Sequence, residues 1–188
     1  MIEVPDNPAL ITLTPDGKKI AVVSLFLRNN LPQSGENFVD ENIGAISIID
    51  VETLAVQTLN LTEVFFSFAN NIVFSADSRT GFVASSGTDQ ILRFDVDSAS
   101  EITPRLEMIE GTRPSSIAMS PDFSFFVTVL VGSNSLPVQD VADSLQVIDT
   151  GSFTVRRSIV PTLEDPCFPL TVLLSPTHWL SPLMEGME

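Results

Sequence analysis

One pattern constrains this chain more than any other: a tight polar turn between two short apolar runs, written three times. It reads PALITLTPDGKKIAVVS from residue 8, NIVFSADSRTGFVASS from residue 71 and PSSIAMSPDFSFFVTVL from residue 114. Thr14-Pro15-Asp16, Ser75-Ala76-Asp77 and Ser120-Pro121-Asp122 align at the turns. A third run then closes on an aspartate: AISIID at Asp50, QILRFD at Asp95 and SLQVID at Asp149. A fourth follows a short turn: AVQTLNL, ITPRLEM or TVRRSIV. The runs are short, rich in Ile, Val, Phe and Thr, and bounded by Pro, Asp, Gly and Ser. They lack a sustained helical period, so they predict strands. Repetition of this kind marks units that bury their apolar faces only by stacking on one another.

Proline presets φ at the first central turn position, and the aspartate after it can accept backbone N–H groups just ahead. The two sets of aspartates, Asp16, Asp77 and Asp122, then Asp50, Asp95 and Asp149, are therefore expected to shape turns rather than to form a site. The spacings are 61 and 45 residues in the first set and 45 and 54 in the second. A four-stranded propeller blade takes about 40–45 residues, so the excess is insertion. The expected fold is all-β, with β-propeller blades of four antiparallel strands in an incomplete ring of three full blades plus flanking strands. A partial propeller is expected over 1–176, with blades at about 8–61, 70–108 and 114–160. PLTVLLSPT supplies the first strand of a further blade at 169–176, and 177–188 is an irregular C-terminal tail.

The insertions fall between the second and third strands. The first unit carries FLRNNLPQSGENFVDENIG there, the third GSNSLPVQDVAD, and the second only SGTD. In an up-down meander this connection lies at the same end as the links between units. Loops on a rigid scaffold are where binding usually sits. The candidate ligand-binding residues are thus Asn30, Asn37, Asp40, Glu41, Asn134, Asp140 and Asp143, with Arg113 just ahead of the third unit. Acidic and amide side chains together suit a cation, a sugar or a basic peptide.

GTRPSSIAMSPDFSFFVTVLVGSN with DSLQVIDTGSFTVRRSI resembles the YVTN-repeat β-propellers. Val147 to Thr150 reproduce that family's Val-Ile-Asp-Thr outright, whereas its Tyr-Val-Thr-Asn core is degenerate in all three units. The resemblance implies a ring of about seven blades around a channel, which three blades cannot close. The chain is therefore expected to be a truncated piece of a larger propeller, with two chains completing one ring as the alternative. The resemblance also implies a periplasmic or extracellular location, although MIEVPDNP has neither the basic region nor the apolar stretch of a signal peptide. Similar propellers include lactonases, so a fragment of a lactonase-like hydrolase, with its catalytic residues in other blades, is the alternative function.

Composition narrows the chemistry. Twenty-four acidic against nine basic residues leave a net charge of −15, which repels phosphate backbones and anionic lipid. Neither nucleic acid nor membrane insertion is expected. Cys167 is the one cysteine, so no intrachain disulfide forms. His178, the one histidine, lies where the repeat fails, so no catalytic triad is expected, and haem, which would need axial histidines, is not expected either. Asp95, Asp97 and Glu101 lie close together but lack the glycine and ligand count of a calcium loop. With no metal and no cofactor expected, the chain reads as a binding or protein-interaction scaffold, its partner a protein or a small polar ligand at the long-loop face.

Overall fold

A computed structural model describes residues 2–5, 8–24, 43–64, 72–85, 88–131 and 144–160. These form three four-stranded antiparallel sheets, each a simple meander. The first holds β1 (Pro8–Leu13), β2 (Lys19–Ser24), β3 (Ile43–Asp50) and β4 (Val56–Val64). The second holds β5 (Ile72–Phe74), β6 (Thr80–Ser85), β7 (Gln90–Asp95) and β8 (Ser100–Glu107). The third holds β9 (Pro114–Met119), β10 (Phe125–Leu130), β11 (Ser144–Asp149) and β12 (Thr154–Ile159). The all-β blade architecture read from the repeat is thus what the chain adopts. The expected further strand at 169–176 and the tail at 177–188 lie outside the described residues.

The middle strands of the second sheet are apolar on both faces because a sheet stacks on each side of it. Side chains on one face of the first sheet (Ala21, Val23, Ile46, Ile48) bury against Ile72, Phe74, Val83, Leu92 and Phe94 of the second. The other face of the second sheet (Val73, Phe82, Ala84, Ile91) buries against Ile117, Phe126 and Ile148 of the third. Strand residues alternate between faces, so Val83 serves one interface and its neighbours Phe82 and Ala84 serve the other. Phe82 anchors the second interface, with its ring centroid 4.9 Å from Phe126 and 5.8 Å from Phe153. The outer strand β12 is exposed from Thr154 to Ser158.

Both hairpin turns repeat atom for atom. In the first, a hydroxyl donates to the aspartate two residues on and accepts the N–H five residues on. Thr14 Oγ1 lies 2.7 Å from Asp16 and 3.0 Å from the Lys19 nitrogen. Ser75 repeats this at 2.6 and 3.0 Å, and Ser120 at 2.8 and 3.1 Å. The residue after the aspartate is left-handed in each, with φ of 72° at Gly17, 62° at Ser78 and 58° at Phe123. In the second turn, Asp50, Asp95 and Asp149 accept both the N–H and the hydroxyl of Thr53, Ser98 and Ser152. The sequence reading assigned the first turn to Pro-Asp. Blade two keeps the same geometry with Ala76 in the proline position, so the hydroxyl-aspartate pair carries the turn.

Candidate functional site

The meander divides each blade into two ends. The hairpin turns lie at one, and at the other β2, β6 and β10 end and β3, β7 and β11 begin. At this second end, Asp89 accepts the N–H of Gly111 at 2.7 Å and of Arg113 at 2.8 Å. One carboxylate thus ties the entry to β7 to the entry to β9. Arg113 is left-handed at φ 42°, and its side chain is exposed. Its carbonyl accepts the Val131 N–H at 3.4 Å, just past the end of β10. Arg113 therefore sits on a pinned backbone at the end where the long connections leave. The other seven candidates, Asn30, Asn37, Asp40, Glu41, Asn134, Asp140 and Asp143, lie outside the described residues, as do Cys167 and His178.

At the turn end, the carboxylates are committed to structure. Hydrogen bonds hold all six turn aspartates below the ordinary value: foremost the Thr14 hydroxyl at Asp16, the Ser75 hydroxyl at Asp77 and the Ser98 hydroxyl at Asp95. Backbone N–H groups lead at the others: Thr53 at Asp50, Ser124 at Asp122 and Ser152 at Asp149. Asp149 also pairs with Arg156 and is pulled down to about 2. Groups so acidic are poor proton donors or acceptors at neutral pH. The Asp95-Asp97-Glu101 group is likewise dispersed. Asp97 pairs with Lys19 of the preceding blade at 2.5 Å, and Glu101 grips Arg105 at 2.7 Å. Among the described residues, no cluster of His, Cys, Asp and Glu could hold a metal ion. No helix among them is long and apolar enough to cross a membrane.

A cleft of about 460 Å³ opens at this end, between the second and third blades. Asp77, Thr80, Phe82, Arg93 and Ile102 form one wall, and Thr150 and Gly151 the other. Arg93 was not singled out from the sequence. Its guanidinium carbon stacks 4.7 Å over the Phe153 ring. Aligning the aspartates that close β3, β7 and β11 places Arg93 level with Ile48 and Val147. A charged residue where the repeat otherwise keeps an aliphatic one is the signal that could have found it.

No protein-family model matches the chain, and no curated protein does. Solved structures do match, with 226 chains similar to it. Hydrazine synthase of Kuenenia stuttgartiensis is similar over 82% of this chain and 37% of its own, at 20% identity and a TM-score of 0.59. The tricorn protease is similar over 82% of this chain and 13% of its own, at 12% identity and a TM-score of 0.57. The β-propeller domain of Myceliophteria thermophila Cps50 (Swd1) is similar over 98% of this chain and 44% of its own, at 13% identity and a TM-score of 0.55. The chain thus spans less than half of each of these proteins. At such identities the likeness is one of fold, and the fold is that of a β-propeller domain.

Proposed function

We propose that this chain is a segment of a larger, YVTN-type propeller and serves as a non-catalytic binding or protein-interaction scaffold. Its contact surface is the long-loop end, and its partner is a basic protein segment or a small polar ligand. The observation that carries this reading is the pinning of Arg113 by Asp89, which fixes the backbone beside the end of β10, where the third blade's insertion begins. The acidic balance of the chain favours a cationic partner and disfavours nucleic acid. Two chains completing one ring, and a periplasmic or extracellular setting, belong to the same proposal. To test it, residues 26–42 and 132–143 are each replaced by a Ser-Gly-Thr-Asp turn like that of the second blade. Hexalysine, maltohexaose and calcium are then titrated against both proteins. Saturable binding of one probe, lost in the short-loop variant, is expected. Binding of none, or binding that survives the replacement, overturns the reading.

The second reading is a fragment of a lactonase-like propeller hydrolase whose catalytic residues lie in further blades. It draws on the similarity to hydrazine synthase and the tricorn protease, of which this chain spans 37% and 13%. Turnover of simple lactones only by a longer protein containing this segment would favour it over the scaffold.

A further inference from the structure

We propose that the cleft between the second and third blades binds a carboxylate, with the Arg93 guanidinium as its anchor. The argument starts from cost. A guanidinium half-buried between stacked sheets loses hydration and must regain it as hydrogen bonds. Arg93 regains little. Its Nε is buried with no partner among the described residues, and its Nη2 reaches only the Thr103 carbonyl, at 3.5 Å. No carboxylate pairs with it among the described residues. The cation is nevertheless held in one place by the face of Phe153, 4.7 Å away. The Ile48 counterpart, buried where the first sheet meets the second, shows that stacking the blades does not require a charge here.

An immobilised planar cation with unspent donors matches a carboxylate, which accepts from guanidinium in a fork. The cleft offers space of ligand size, about 460 Å³, within the range of small-molecule sites. Phe82 and Ile102 give an apolar wall for the body of the ligand. Asp77 also lines it, but its Oδ1 accepts the Ser75 hydroxyl at 2.6 Å and the Arg79 N–H at 3.1 Å. Those bonds already offset part of its charge. The carboxylate belongs either to a small free acid or to the C-terminus of a polypeptide. The cleft lies at the opposite end of the blades from the strand ends that carry the insertions, so it stands or falls independently of the scaffold reading.

The test follows the Arg93 side-chain Nε–H resonance by NMR in the full chain. The probes are sodium benzoate, acetyl-Ala-Ala-Phe as the free acid, and the same peptide amidated. Benzoate or the free-acid peptide is expected to shift the resonance saturably below about 10 mM, a range of weak specific affinity, and the amide is not. A benzoate response assigns a small acid, and a response to the free-acid peptide alone assigns a polypeptide terminus. Arg93→Leu, which restores the aliphatic residue of the other blades, is expected to weaken binding at least tenfold, read on the Thr150 amide. Gly151→Leu fills the cleft from the opposite wall, where a Cβ meets nothing closer than 3.5 Å, and is expected to do the same without touching Arg93. No saturable shift, an equal shift with chloride, or undiminished binding in both variants overturns the proposal.

Discussion

Gly81 lies beneath the ring of Phe94, and a Cβ added there would come within 2.1 Å of the Phe94 side chain. Any larger residue must displace a ring that is completely buried between the first two blades. Gly81→Ala is therefore expected to destabilise the chain by about 1–3 kcal/mol, measured by urea denaturation. Phe94→Leu in the same chain should recover part of that loss, and a strictly additive double mutant would show that the two do not meet. Asp149 makes the opposite kind of contribution. Its pKa is lower in the fold, at about 2, than its ordinary value of 3.8. The folded form thus gains stability from the ionised carboxylate above the ordinary value and loses it as pH falls from 3.8 towards about 2. Asp149→Asn should accordingly be less stable than the parent at neutral pH, with the difference closing over that acid window. A difference independent of pH would remove the charge from the explanation.

At the scale of the element, the same turn built three times allows one blade to instruct another. Thr14, Ser75 and Ser120 act identically, and Pro15 and Pro121 follow two of them while Ala76 follows the third. In the β5–β6 turn the backbone N–H groups of Ser75, Ser78, Arg79 and Thr80 donate, and no hydrogen bond among the described residues uses the Ala76 N–H. Proline there sacrifices no bond and restricts the unfolded chain. Ala76→Pro is expected to stabilise by about 0.4–1 kcal/mol, read as a raised thermal midpoint. A lowered midpoint would mean that the β5–β6 turn differs from its counterparts in the other two blades. The turn aspartates were readable as turn residues because their chemistry acts within five residues. The hydroxyl ahead of them, which does as much, is present in the sequence as Thr or Ser at every repeat, but its bond to an N–H five residues on exists only once the hairpin has formed.

For the whole molecule, the three blades are not equally covered. Ile72 and Phe74 bury against the blade before them, 2% and 4% exposed, and Ile117 buries completely. Their counterparts in the first blade, Ile11 and Leu13, are 70% and 55% exposed. Two apolar side chains on a stacking face are a contact waiting for a neighbour. Ile11→Lys with Leu13→Lys is expected to leave the fold intact and to shift the solution mass, measured by light scattering, towards the monomer at high concentration. An unchanged mass distribution would mean that this face plays no part in association. Of the candidate site, Arg113 lies among the described residues, next to the end of β10. Arg93 escaped the sequence reading because its significance depends on Phe153, sixty residues on.

The sequence by itself determined the strands, their grouping into fours and the turns between them. Each of these depends on apolar alternation or turn chemistry confined to a few neighbouring residues. Only the tertiary structure decided which face of each strand meets which blade, and that Arg93 ends over a ring with its Nε unpaired among the described residues. It also decided that Ile11 and Leu13 stay uncovered. These outcomes arise where sheets distant along the chain are pressed together, and no local pattern specifies what lies on the other side of a stack.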